Sequence, residues 1–129
     1  MNTPVQPASV PSTQDWQWSD SLDALIAAPD HHKLLFENDR VRVLYTSIPA
    51  GDKVPVHTHR CPSVLYIQSW GEFVRCDENG KVLLDSRTVE SLKTPPEVLW
   101  SQPLPPHRLE NVGSTSIDII AVELKDGTP

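Results

Sequence analysis

From Leu34 onward, apolar and polar residues alternate in short runs, which is the two-residue period of β-strands. Turn residues separate these runs, and Asn79-Gly80 is the strongest two-residue signal for a hairpin. The chain carries 13 prolines against 5 glycines, a balance that disfavours long helices and suits fixed turns. We therefore expect an all-β domain of roughly seven to nine short strands, arranged as a sandwich, jelly roll or barrel.

The elements expected from this pattern can be placed along the chain. A short helix is predicted over 19–28, because Ser19 can cap it, Leu22, Leu25 and Ile26 share one face, and Pro29 ends it. Before it, the polar and proline-rich residues 1–15 predict an extended or mobile arm. After the strand that starts near Leu34, strands are expected at 40–45, 53–59, 64–70, 73–76, 81–85, 98–101, 107–111 and 117–124.

The charge and the cysteines exclude several classes of function. The net charge is −6 and no run of Lys or Arg forms a stripe, so we expect neither a nucleic-acid partner nor a membrane surface. No secretory signal and no spanning segment is evident. Cys61 and Cys76 form no disulfide framework, and we expect two reduced thiols in a cytoplasmic protein.

Two histidines carry the first hint of chemistry. His57 and His59 are two residues apart on a predicted strand, so both side chains point to one face and can converge on a metal ion. Such a pair alone is weak evidence, since it is more often ordinary surface or packing histidine. His31 and His32 are expected to be surface residues that follow the helix.

The spacing around the pair resembles the first motif of the cupins. Gly51 stands five residues before His57, and Gly71 follows His59 at the distance of the closing glycine. Further along, His107 followed by Asn111 resembles the end of the second motif, and 103–106 resembles its proline-rich turn.

This resemblance covers residues 34–125. It implies a cupin double-stranded β-helix, or jelly-roll barrel, with a short N-terminal helix. It also implies that His57, His59 and His107 point inward and hold one divalent metal ion. Histidine ligands suit Fe, Zn, Ni and Cu, so the ligands do not name the metal. The chain is then divided into an arm and helix at 1–33, the barrel at 34–126 and a tail at 127–129.

The chain departs from the family pattern at two positions. Leu104 stands where the second motif has glycine, which concerns only the turn geometry. Val64 stands where the first motif has a glutamate ligand. Without that carboxylate the ion is a stronger Lewis acid with one more open position, and it should favour an anionic ligand. The opposing interpretation is a weakened site that holds little metal.

Other residues are assigned by alternation. Tyr66 and Gln68 share a face with Val64, which the family pattern makes the inward face, so they are the candidate catalytic residues. Their alternative role is that of satisfied polar groups inside the barrel. Arg75 and Trp100 are possible pocket walls, although a strand arginine is more commonly solvated. Asn111 is expected to fix a strand end by side-chain hydrogen bonds.

Three functions remain open at this stage. The first is a mononuclear three-histidine metalloenzyme acting on a small anionic molecule, with an Fe(II) oxygenase as one option. The second is a non-catalytic cupin that binds a small ligand with a weak or empty metal site. The third is a structural role in which Trp16 and Trp18 dock an arm across a homodimer, against the plainer alternative that they pack on their own chain. The resemblance implies a homodimer in any of these cases.

Overall fold

The structure, a computed structural model, describes residues 16–125 as two antiparallel β-sheets that face each other. The arm predicted over 1–15 and the tail at 127–129 lie outside the described residues. Within them the all-β prediction is confirmed, and three strands match the predicted bounds to the residue. The strands are β1 His32–Glu37, β2 Val41–Ile48, β3 Lys53–His59, β4 Ser63–Ser69, β5 Phe73–Asp77, β6 Val82–Asp85, β7 Val98–Ser101, β8 Leu104–Asn111 and β9 Ile117–Leu124.

Because the two sheets face each other, each has an inner and an outer face. The five-stranded sheet has the order β1-β2-β9-β4-β7, and the four-stranded sheet has the order β3-β8-β5-β6. Leu44 on β2 pairs with Ala121 on β9, and both are buried, which identifies the inner face of the larger sheet. Residues at alternate positions from these point inward, because side chains along a strand alternate between its two faces.

The predicted N-terminal helix is two short turns. A 3-10 turn covers Asp20–Leu22 and α1 covers Ala24–Ala27, and Asp23 between them is extended with ψ 142°. The Asp23 carboxylate accepts a hydrogen bond from the Leu25 N–H and also pairs with Arg42. This position therefore ends the first turn and caps the second, which a single helix over 19–28 would not allow.

The apolar core occupies one end of the space between the sheets. It lies where β9 begins and β8 ends, and it comprises Ala28, Ile48, Val54, Phe73 and Ile117. At the opposite end, where β9 ends and β8 begins, the buried residues include the polar side chains of His107 and Glu123. The interior is thus apolar at one end and partly polar at the other.

Asn111 fixes the end of β8 beside the core. It is fully buried, its Nδ2 donates to the carbonyl oxygens of Ile48 and Thr115, and its Oδ1 accepts from the Gly113 N–H. The predicted structural role of Asn111 is therefore confirmed. Gly71 lies in the same region, and a Cβ there would come 2.8 Å from the Thr115 carbonyl oxygen, so a larger residue does not fit.

The proline-rich segment before His107 is not the predicted turn. β8 already begins at Leu104, which pairs with His59, and its next two residues are prolines. Proline cannot donate to a ladder and is confined to irregular or edge positions. The strand tolerates the prolines because the pairing of β3 with β8 is irregular on both sides of His57.

The Trp16 and Trp18 rings pack edge to face with centroids 4.7 Å apart, and both residues are partly buried.

Among residues 16–125, no helix is long and apolar enough to span a membrane.

Candidate metal centre

Four histidines from three strands meet inside the barrel. His32 comes from the start of β1, His57 and His59 from β3, and His107 from β8. The ring of His57 lies centrally, with centroid distances of 4.9 Å to His32, 5.0 Å to His59 and 4.3 Å to His107. We call these four residues the histidine cluster. Of the three ligands that the sequence predicts, His57 and His59 have the spacing that a shared metal ion needs, together with His32, whereas His107 packs against His57 and is not in that group.

The expectation that His31 and His32 lie on the surface is wrong. His32 is only 6% exposed, and its backbone pairs with Thr46 on the inner face of β2. His32, His57 and His59 each offer a ring nitrogen, and these three atoms lie within 4.8 Å of one another, as ligands of one metal ion must. His31 points elsewhere, and its largely buried ring lies 3.2 Å from the Asp52 carboxylate. Sequence reasoning missed His32 because β1 begins two residues earlier than the alternation indicates.

The Nδ1 atom of every histidine in the cluster has an oxygen acceptor. Three of these acceptors are backbone carbonyls, which can only accept, so the neutral rings carry their proton on Nδ1 and leave a lone pair on Nε2. Metal-binding histidines in proteins are oriented in the same way. The contacts are His57 to Pro55 O at 2.7 Å, His107 to Pro105 O at 2.8 Å, His32 to Ala28 O at 3.0 Å and His59 to Glu123 Oε2 at 3.1 Å.

Burial keeps His32, His57 and His107 uncharged. Desolvation, together with the neighbouring His59, lowers the pKa of His57 to about 2 and that of His32 to about 4. Desolvation and the adjacent His57 also hold the pKa of His107 well below its usual value. Neutral imidazole is the form that binds a metal, so these side chains do not need to lose a proton at neutral pH.

A chain of buried charges supports His59. Glu123 is 1% exposed and accepts hydrogen bonds from His59 Nδ1 and, at 2.8 Å, from Arg42 Nε. The Arg42 guanidinium also forms a two-point contact with Asp23, at 2.8 and 3.1 Å. Although burial acts to raise the pKa of Glu123, the contacts with His59 and Arg42 lower it overall, so the side chain is a carboxylate. Two carboxylates and one guanidinium leave one negative charge beside the histidines.

The donor set fits a divalent metal ion. Imidazole nitrogens bind such an ion at about 2.1 Å, so the ring nitrogens of His32, His57 and His59, which lie within 4.8 Å of one another, would draw in slightly on binding. His59 is the most open of the cluster, with 18% of its side chain exposed, so the approach from solvent lies on its side.

The prediction that Val64, Tyr66 and Gln68 lie on the inner face of β4 is wrong. Ser63 pairs with the buried Glu123, which places Ser63 on the inner face and the next residue, Val64, on the outer one. Tyr66 and Gln68 alternate with Val64, and both are exposed, Tyr66 to 47%. A shift of one residue reverses every side chain of a strand. The carboxylate near the histidines is supplied by Glu123 of β9 instead, and it accepts a hydrogen bond from His59 Nδ1.

The remaining candidates divide between the two faces. Trp100 pairs with Val64 and lies on the outer face, so it is not a wall of the interior. Arg75 pairs with Leu109, which alternates with His107, and therefore faces the interior. Cys61 is partly buried, and burial raises the pKa of its thiol, which keeps it protonated.

Comparison with known proteins gives similarity in structure only. No protein-family model matches the chain, and no curated protein matches it significantly. A cupin domain from Bordetella pertussis superimposes with a TM-score of 0.57 at 19% identity, over 73% of this chain and 91% of that one. An RmlC-like cupin family protein with a double-stranded β-helix fold, from Methanocaldococcus jannaschii, gives 0.52 at 15% identity, over 72% and 77%. A protein with a double-stranded β-helix domain from Klebsiella pneumoniae gives 0.52 at 14% identity, over 95% of both chains.

Proposed function

The chain has the double-stranded β-helix fold of the cupins, as its sequence predicts, and we propose that it binds one divalent metal ion through the histidine cluster and a small anionic molecule beside it. The observation that supports this most is the orientation of the four rings, each held by an acceptor at Nδ1 with Nε2 left to bind. Rings that serve only for packing need no such common orientation.

The proposed ligands are His57, His59 and His107, with His32 as a fourth. The first three follow the cupin spacing, and His57 pairs directly with His107 across β3 and β8. His32 lies close enough to His57 and His59 to complete the set. Four imidazoles around an ion with six positions would leave two for a small molecule.

The proposal extends to catalysis. A divalent ion supplies Lewis acidity, and iron also supplies the redox chemistry of an oxygenase. The residues around the cluster hold His32, His57 and His107 neutral, orient all four rings, and place the charge of Glu123 beside His59 Nδ1. Tyr66 and Gln68 are not included, because both lie on the outer face of β4.

The test of the metal proposal is a titration of protein stripped with a chelator. We expect one Zn²⁺ or one Fe²⁺ per chain, with the iron arm run anaerobically. His57→Gln and His107→Gln should each weaken binding by about 100-fold or more, because each removes an inner ligand. His31→Gln is the matched control, since its ring lies next in sequence to the cluster but pairs with Asp52. Equal affinity in all the variants would refute the proposal.

Oxygen uptake separates the enzyme from a binding module. Iron-loaded protein should consume O₂ when a diketone, thiol or catechol is added, if it is an oxygenase. One metal per chain without turnover would support the alternative, a non-catalytic cupin that binds a small ligand.

We also propose that two copies pair through the outer face of the five-stranded sheet. Phe36 and Val98 on this face are each 54% exposed, and Tyr66 is 47% exposed. Apolar residues continue between them in two rows, one across all five strands and one across four, which is unusual for the solvent face of an antiparallel sheet. The first row is Phe36, Val43, Val122, Val64 and Trp100. The second row is Tyr45, Ile120, Tyr66 and Val98, and the charged Lys33 ends it on β1.

A further inference from the structure

Arg75 extends from β5 into the interior between the core and the histidine cluster. It pairs with Leu109 of β8 and Leu84 of β6, so its side chain lies between apolar neighbours. Leu109 and His107 share the inner face of β8, which makes Arg75 and His107 diagonal neighbours with Cα atoms about 7–8 Å apart. Both side chains therefore belong to one wall of the interior, within reach of one small ligand.

No carboxylate neutralises this arginine among residues 16–125. Its Nε is fully buried and has no hydrogen-bond acceptor there. The acidic residue two positions along, Asp77, accepts instead from the backbone N–H groups of Asn79 and Lys81 in the hairpin turn. The other inward arginine, Arg42, shows the usual solution, since it contacts two carboxylates.

A buried guanidinium Nε without an acceptor is costly unless an anion joins it. Desolvation lowers the pKa of Arg75 to about 10, which still leaves it charged at neutral pH. A divalent ion on the neighbouring histidines would add to this positive charge, so the two together would attract an anion.

We propose that Arg75 binds the carboxylate of a small ligand inside the barrel, while a second oxygen of that ligand faces the histidine cluster. The planar fork of a guanidinium matches a carboxylate with two parallel hydrogen bonds. The flanking Leu84 and Leu109 favour a carboxylate group, which carries one charge, over a phosphate group, which carries between one and two charges and is more costly to desolvate. Binding of the carboxylate by Arg75 does not depend on a metal. Only the role of the second oxygen rests on the proposed metal function.

The test is calorimetric titration of malonate into metal-free and Zn²⁺-loaded protein. Arg75→Gln should weaken malonate binding by about tenfold or more in both forms, because a charge-assisted pair is lost. Arg75→Lys keeps the charge but lacks the two parallel donors of the guanidinium. Its malonate affinity should therefore lie between those of the wild type and Arg75→Gln. Arg108→Gln is the matched control, because Arg108 is exposed and its side chain donates, within residues 16–125, only to the Glu78 carbonyl oxygen. It should bind malonate like the wild type.

The outcomes separate this inference from the metal proposal. Failure to bind Zn²⁺, with malonate binding still dependent on Arg75, refutes the metal proposal and supports the carboxylate site. Unchanged malonate binding in Arg75→Gln, in protein shown by circular dichroism to be folded, overturns the site, as does a lack of malonate binding by the wild type. Tighter binding of inorganic phosphate than of malonate overturns the assignment to carboxylates.

Discussion

Each histidine of the cluster donates from Nδ1 to a different acceptor, and two of these acceptors come from a repeated local pattern. His57 and His107 each donate to the carbonyl of the proline two residues before it. Because the β3–β8 register is irregular around His57, the Pro55 carbonyl is free to turn toward the ring. The irregular pairing thus helps to set the orientation of His57, a proposed ligand.

Glu123 is expected to raise the affinity of the site for the metal through its hydrogen bond with His59. Glu123→Gln keeps the shape but removes the charge that holds the His59 proton, so we predict a loss of about 10- to 100-fold in Zn²⁺ affinity. The measurement is competition against a chromophoric chelator at constant pH.

Glu110→Gln is the control for this prediction. Glu110 lies on β8 with its backbone paired to Lys53, on the face opposite to Leu109. The Glu110→Gln substitution removes the same charge without changing a contact to a histidine. The Zn²⁺ affinity of this variant should therefore equal that of the wild type. Equal affinities for Glu123→Gln and Glu110→Gln would contradict a role for Glu123.

The lowered pKa values predict how stability depends on pH in the metal-free protein. The pKa values of His57, about 2, and His32, about 4, lie below their ordinary value of 6.5. The unfolded chain therefore binds more protons as the pH falls. Stability is fully present above pH 6.5 and is lost progressively toward pH 4, with up to about 1.4 kcal/mol per pH unit from each histidine.

Urea unfolding at pH 7.5, 6.5, 5.5 and 4.5 measures this loss. His57→Gln should give a shallower decline, because one of the titrating groups is gone. A free energy of unfolding that stays level from pH 7.5 to pH 5 would be inconsistent with neutral buried histidines.

The sequence predicts part of this centre and not the rest. His57, His59 and His107 follow from spacing, because the family motif fixes their positions on strands. His32 and Glu123 do not, since each reaches the site through pairing with strands distant in sequence. His32 pairs with Thr46, and Glu123 pairs with Ser63.

At the scale of elements, strand bounds are predicted well and strand faces less well. The bounds of β3, β7 and β9 follow from alternation and turn residues alone. The face of β4 does not, because both of its alternating sets contain apolar residues: Leu65 and Ile67 inside, Val64 and Tyr66 outside. Only the pairing of Ser63 with Glu123 decides between them.

Asn111 offers a test at this scale, because it ties the ends of β2 and β8 to the following turn. Asn111→Ala removes the partners of the Ile48 and Thr115 carbonyls and of the Gly113 N–H. We predict a loss of about 3 kcal/mol in the free energy of unfolding, measured by urea denaturation. The control Asn79→Ala, in an exposed turn, should cost less than about 0.5 kcal/mol. Similar costs for the two variants would argue against this function of Asn111.

At the scale of the whole molecule, the outer face of the five-stranded sheet predicts self-association. The chain is 14.4 kDa, and sedimentation velocity should give twice that mass. Val98→Lys places a charge within the apolar rows and should raise the dissociation constant of the dimer about tenfold or more.

Val82→Lys is the matched control, because Val82 is 56% exposed but lies on β6 of the other sheet. This variant should remain a dimer. A monomeric wild type, or equal disruption by both substitutions, would contradict the proposed pairing.

The central claim, a metal ion held by the histidine cluster, is tested most directly by X-ray absorption of the Zn²⁺-loaded protein. The account predicts a first shell that contains three or four imidazole nitrogens at about 2.0–2.1 Å, with the outer-ring scattering typical of histidine. His107→Gln should lower the imidazole count by one, whereas His31→Gln should leave it unchanged. A shell of oxygen ligands, or an imidazole count insensitive to His57 and His107, would contradict it.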